Sequence, residues 1–429
     1  MNKKSTYWLI SLLLIQFLAG CASPTPTGTL TQTPESLASQ SPGNFTVTTH
    51  CREIIGGLDT LPDLIGTLVF SSYNALNNNG NMLRIEPGDN SSVSFWNPQA
   101  NTITSFELPE EFYYYIYAES PDKEKLALTE GKTIEYSTDV AILNHEGKEV
   151  KRIAFPEDWT FFNWWGNEKL LFRQFRNQKN VSKDKLGLVS INLSDEKRKV
   201  LPSDFPNLYT DEEFVDWGAL TVFNPAAPLV LYPNLENASK PTLSILWDLE
   251  KNQEMVRIAG GDWPAWSPDN SRLLLVVEYD KKTSEWHDEI TLIDQVGELS
   301  RYTFFTEYFK NARISSPVWS PNNRYVAFLL ATSLQDEKAK LVVLDTETLT
   351  ADLFCQGIIP FPFRLDDKMG YLHYASYPIN SVRPIWSPDS KYVLIENYEI
   401  GISSAFLFDL ENNTITQITI EGKPVAWLK

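Results

Sequence analysis

Histidine is nearly missing from this chain: four stand among 429 residues, at positions 50, 145, 287 and 373. Imidazole metal chemistry therefore has little material. No Cys-x-x-Cys, His-Glu-x-x-His or EF-hand pattern occurs. The nearest approach to a Gly-x-Ser-x-Gly elbow is Gly401-Ile402-Ser403-Ser404-Ala405, which is not one. Basic stripes are absent too. A net charge of −18 and a pI near 4.8 argue against a nucleic-acid partner. Helical periodicity is confined to a brief stretch at 300–310, where an aromatic strand fits equally well. Beyond the N-terminus no run approaches the roughly 18 apolar residues of a membrane span. These absences leave an all-β chain with no expected catalytic residue, metal or cofactor. Paired carboxylates of the kind that cleave glycosides stay open, because their separation is invisible in a sequence with 55 acidic residues.

What is present is one short phrase, repeated. Trp266-Ser267-Pro268-Asp269-Asn270, Trp319-Ser320-Pro321-Asn322-Asn323 and Trp386-Ser387-Pro388-Asp389-Ser390 each follow a Pro two residues before the Trp and precede an apolar run. Ser opens a tight turn by bonding its own backbone, Pro presets φ, and Asn tolerates the left-handed region. The apolar run is too short for a helix and reads as a buried strand. A hairpin recurring at about 40 to 65 residues means a radial or stacked array.

These phrases resemble the TolB-type (WD40-like) β-propeller repeat, whose signature is a Trp-Ser-Pro-Asp-Gly-like turn. Ser390 is the poorest fit to the slot where Gly is common. The resemblance implies four-stranded antiparallel blades and a binding or scaffolding role, without implying a ligand. Turn positions trace seven blades, with six or eight as alternatives. Pro424-Val425-Ala426-Trp427 repeats the Pro-to-Trp strand just before the chain stops, and the first blade has no such strand before residue 67. The C-terminal strand is therefore expected to complete blade 1 and close the ring, removing exposed edges.

The N-terminus carries a different signal. Lys3 and Lys4 precede an apolar region at 8–18 and then Leu18-Ala19-Gly20-Cys21, which looks like a bacterial lipobox. That resemblance implies a signal peptide over 1–20, lipidation of Cys21 and a lipid-anchored protein facing the periplasm or cell exterior. Residues 21–49, rich in Thr, Pro and Ser, read as a flexible tether, and 50–429 as the propeller. Cys51 and Cys355 remain after export, and either a disulfide or two buried thiols would account for them.

Strand alternation sorts the loops onto two faces. Turns after the first and third strands are short. The long insertions, at 73–92, 176–185, 202–216, 280–289, 307–316 and 356–382, fall on the other face. Long loops on a rigid scaffold carry function. Aromatics gather there, and the candidate binding face comprises Trp286, His287, Tyr308, Phe361, Phe363, Tyr371, His373, Tyr374 and Tyr377. His287 with Asp288 and Glu289, and His373, are the residues that could act as acid–base pair or ligands there; Asp211-Glu212-Glu213 could hold Ca²⁺. The expected function is a membrane-anchored binding or scaffold module for an envelope protein or glycan. The alternative is a glycan- or peptide-processing hydrolase or lyase using loop carboxylates and His.

Overall fold

The computed structural model describes residues 30–32, 43–51, 53–56, 63–71, 92–107, 117–131, 137–156, 159–174, 187–201, 222–224, 226–234, 243–259, 262–278, 287–333, 338–360, 383–399, 402–419 and 422–429. Strand after strand has apolar residues on both faces. In Arg272–Glu278 the five residues Leu273 to Val277 are all buried, so this sheet is covered on both sides. Seven such sheets arranged face to face, each twisted, close into a ring: the protein is a seven-bladed β-propeller.

Each blade is an antiparallel sheet whose strands run in order from first to fourth. Blade 2 is Tyr117–Glu119, Lys125–Gly131, Ser137–Asn144 and Glu149–Ala154, and blade 3 is Trp159–Trp164, Lys169–Gln174, Gly187–Asn192 and Arg198–Leu201. Blade 4 is Val222–Phe223, Leu229–Asn234, Leu243–Asp248 and Gln253–Ala259; blade 5 is Asp262–Trp266, Arg272–Glu278, Asp288–Asp294 and Leu299–Arg301. Blade 6 is Arg313–Trp319, Tyr325–Ala331, Lys338–Asp345 and Thr350–Pro360; blade 7 is Ile385–Trp386, Tyr392–Glu399, Ile402–Asp409 and Thr414–Thr419. Blade 1 takes Thr67–Ser71, Ser92–Asn97 and Thr102–Glu107 from the start of the domain and Lys423–Leu428 from its end. The C-terminal strand is thus the first strand of blade 1, as expected, with Trp427 opposite Leu68. First strands of neighbouring blades contact one another, which places them around the axis.

The core is correspondingly a set of interblade layers. One apolar cluster lies between each neighbouring pair of blades, including 7 and 1, where Tyr392 and Leu394 meet Leu68, Phe70 and Trp427. Around 300–310 the chain forms the short outer strand of blade 5 and then a single 3₁₀ turn, Phe305–Glu307. Phe305 is fully buried between blades 5 and 6 and meets Phe328 edge-on.

The tether expected over 21–49 requires correction. Thr46–His50 is a strand, paired in parallel with the outer strand of blade 6. Leu30–Gln32 pairs in the same sense with blade 4, and Ile54–Gly56 with blade 7. A Thr-rich composition reads as linker because it cannot build a core alone. Here it does not need to, since the outer edges of finished blades supply the missing hydrogen-bond partners. Phe45 completes the attachment, buried among Phe304, Phe305 and Tyr308. Two insertions are also shorter than expected: Asp288 and Glu289 begin a strand of blade 5, and Arg313 begins the first strand of blade 6.

Candidate functional site

The two faces of the ring are built differently, and the difference begins in the repeated phrase. In blades 5, 6 and 7 the buried Ser hydroxyl donates to the side chain of Asp269, Asn322 or Asp389, each at 2.6 Å. It also accepts the N–H of Arg272, Tyr325 or Tyr392 at 2.8–3.0 Å, where the next strand starts. Blade 2 repeats this with Ser120, which bonds Asp122 at 2.5 Å. The last turn residue is left-handed in all four: Asn270, Asn323, Ser390 and Lys123 have φ of 61°, 62°, 63° and 60°. Burial alone would raise the pKa of Asp269. Hydrogen bonds from Ser267 and Ser271, with Arg272 nearby, hold it below the ordinary value.

These turns then bond sideways. The Asp269 N–H donates to Asn323 Oδ1 at 2.7 Å, and the Asn322 N–H to Ser390 Oγ at 3.1 Å. That bond explains a hydroxyl where Gly is common. Asp122 N–H does the same with Asn167. A second ladder runs one layer inward: the indoles of Trp164, Trp319 and Trp386 donate to the carbonyls of Ala118, Ala265 and Val318 in the preceding blade, at 2.7–3.2 Å. The indole ladder breaks at the joint of blades 4 and 5, whereas the turns there stay bonded, Asn224 Nδ2 donating to Asn270 O at 3.1 Å. Trp266 Nε1 and Asn270 Oδ1 are buried there with no partner.

At the closing joint of blades 7, 1 and 2 the ladder is rerouted. Trp427 donates to Ile65 O at 2.8 Å, and Lys429 N–H to Lys123 O. The Lys123 ammonium reaches Trp386 O at 3.0 Å and Glu119 at 3.4 Å. Burial lowers its pKa, partly offset by Glu119.

On the opposite face the described connection runs from the outer strand of blade 5 to the first strand of blade 6. Glu289 is fully buried. Its carboxylate accepts from Thr303 Oγ1 at 2.6 Å, Arg301 Nη2 at 2.8 Å, Phe305 N–H at 3.0 Å, and Thr306 N–H and Oγ1 at 3.2 Å. Asp288, also buried, accepts from the Ile314 N–H at 3.0 Å and pairs with Arg313 at 3.4 Å. Both carboxylates therefore bind the blade 5–6 connection into place. A role for them as a freely convergent acid–base pair with His287 is not what the geometry provides. His287 itself is half-buried and bridges Ala312 through its backbone. Tyr308 is 46% exposed, and its hydroxyl donates to Phe45 O at 2.9 Å. Its ring meets Phe45 edge-on, with centroids 5.7 Å apart, so the residue holds the N-terminal segment while staying partly open to solvent.

Of the expected binding face, His287 and Tyr308 are described. Trp286, Phe361, Phe363, Tyr371, His373, Tyr374 and Tyr377 lie outside the described residues, as do Cys21 and Asp211-Glu212-Glu213. Among the described residues no group of three metal-ligating side chains forms. Cys51 and Cys355 are joined as a disulfide with Cα atoms 4.9 Å apart, tying the N-terminal segment to the outer strand of blade 6. Beside it His50 Nε2 lies 2.8 Å from Asp352 Oδ1, a contact that no sequence motif signals.

Comparison with solved structures matches this ring to oligogalacturonate lyase from Vibrio parahaemolyticus at 13% identity. That match covers 84% of this chain and 97% of the lyase, with a TM-score of 0.51. An acylaminoacyl peptidase matches at 13% identity over 77% of this chain and 48% of the peptidase, also at 0.51. TolB from Acinetobacter baumannii matches at 13% identity over 85% of this chain and 83% of TolB, at 0.42. The first two likenesses show the fold. It is a β-propeller. No protein-family model and no curated protein matches the sequence.

Within that propeller the short-turn face is closed by hydrogen bonds between neighbouring turns. The inner strands bulge where their Pro stands, between Asp262 and Ala265, Ser315 and Val318, and Pro424 and Ala426, because Pro has no N–H for the ladder. Trp263 and Ser316 precede two of these prolines with φ of 53° and 52°, a conformation uncommon for any side chain and an outlier for a bulky one.

Proposed function

We propose that the chain is a lipid-anchored extracytoplasmic protein whose propeller is a non-catalytic binding or scaffold module. It holds an envelope protein or glycan on the long-loop face. The observation that carries this reading is the commitment of Asp288 and Glu289, the two carboxylates beside His287, to buried ion pairs and backbone donors. Groups so engaged position loops; they are not poised to exchange protons with a substrate. The anchor rests on Lys3, Lys4 and Leu18-Ala19-Gly20-Cys21.

The test uses the full chain expressed in a bacterium. Labelled fatty acid should incorporate and be lost in Cys21→Ser; incorporation into that variant would refute the anchor. The purified protein should bind an envelope protein or a glycan fragment, and Tyr308→Ser combined with Trp286→Ser should weaken binding at least tenfold. Turnover of an oligosaccharide or peptide, abolished by His287→Ala or His373→Ala, would instead establish the hydrolase or lyase alternative.

A further inference from the structure

Blades 4, 6 and 7 each carry an extra outer strand from the N-terminal segment. Blade 1 carries none among the described residues, although its outer strand is built like that of blade 7. One begins Thr102-Ile103-Thr104 and the other Thr414-Ile415-Thr416. Each follows a left-handed Asn, Asn101 at φ 49° and Asn413 at φ 54°. Each closes a turn held by an Asn97 or Asp409 side chain, and each Ile stands opposite an aromatic residue of the third strand, Trp96 or Phe408.

What differs is the cover. Ile54 lies beside Ile415 in parallel register, and Ile415 is 0% exposed. Val47 lies beside Ala351 of blade 6, at the same turn-relative position, and Ala351 is also 0% exposed. Ile103 of blade 1 is 69% exposed, and the strand is exposed from Thr102 to Ser105. Outer strands left to solvent normally carry Lys, Pro or a bulge that discourages pairing. Thr102 to Phe106 has none of these, and its register with Ser92–Asn97 is unbroken.

We propose that the outer edge of blade 1 accepts an extended segment of a partner protein as a fifth, parallel strand, with an aliphatic residue beside Ile103. The chain's own covering strands define the chemistry. Thr46–His50 and Ile54–Gly56 contain no Asp, Glu, Lys or Arg and set Val47 and Ile54 beside the equivalent positions. They also define continuity, since the N-terminal segment covers blade 6 and then blade 7, and blade 1 is the next edge of the same rim. Backbone bonds supply affinity in such strand addition, and alternate side chains supply selectivity. This surface is the rim, separate from the long-loop face, and does not depend on what that face binds.

The probe is a synthetic peptide of residues 43–56 with Cys51→Ser, titrated into the full-length, disulfide-intact protein. Amide hydrogen exchange within 102–107 should slow about tenfold at a peptide concentration ten times the Kd. Ile103→Lys and, separately, Thr102→Lys should abolish the effect while leaving the thermal midpoint unchanged. No slowing, slowing that survives both variants, or slowing confined to other outer strands would overturn the proposal. A concentration-dependent dimer that Ile103→Lys dissociates would also overturn it, by assigning the edge to a second copy of this chain.

Discussion

At the scale of single residues the ring is held by groups that each serve two neighbours. Ser320 is 0% exposed and both donates to Asn322 and accepts from Tyr325 N–H. The indole ladder shows what happens when such a partner is missing. Trp319 Nε1 donates to Ala265 O, and Arg272 lies over the same ring with its guanidinium carbon 4.7 Å from the centroid. Trp266 keeps the same place in its repeat but has no acceptor. A made hydrogen bond contributes about 1 kcal/mol net, whereas a buried donor left unmade costs about 1–3 kcal/mol. Trp319→Phe should therefore destabilise by about 2 kcal/mol, since it removes a bond, a stacking partner and volume. Trp266→Phe should lie within about 0.5 kcal/mol of the parent, because removing an orphaned donor offsets the lost volume. Chemical denaturation of both variants checks this, and equal losses would contradict the broken ladder.

At the scale of elements, legibility in the sequence depended on whether a strand's partner was local. The Trp-Ser-Pro hairpins were readable because turn and flanking strands lie within a dozen residues, and the structure places Trp266, Trp319 and Trp386 at equivalent ends of first strands. Thr46–His50 was not readable as a strand, because its partner is Thr350–Phe354, about 300 residues away, and its own composition is that of a linker. The same limit hid the roles of Asp288 and Glu289. Their partners Arg301, Thr303 and Arg313 belong to the following strand, connection and blade, so the local sequence His287-Asp288-Glu289 resembles a site when it is a clamp. The attachment of Thr46–His50 can be measured. Non-reducing peptide mapping should recover Cys51 joined to Cys355. Cys355→Ser should leave the blades folded but speed exchange of the 46–50 amides, because Phe45, Tyr308 and His50 then hold the segment without the covalent tie. Two free thiols in the parent would refute that account.

At the scale of the molecule, seven interblade layers share one dependence: the ring has no layer to spare. The layer between blades 7 and 1 exists because Lys423–Leu428 returns to pair with Thr67–Ser71, burying Ala426, Trp427 and Leu428 to 1% exposure or less. Each of these larger side chains contributes about 2 kcal/mol of burial, and the strand also covers an edge that would otherwise pair elsewhere. The joint is tight as well. Gly66 has φ 83°, and a Cβ there would stand 2.2 Å from Leu428 O. Deleting residues 424–429 should lower stability by several kcal/mol and spread the loss over the whole ring, because blades 1 and 7 both lose a face. Gly66→Ala, which keeps the strand but forces the joint apart, should reproduce the direction with a smaller fall in the thermal midpoint. A midpoint unchanged by the deletion would contradict closure of the ring by this strand.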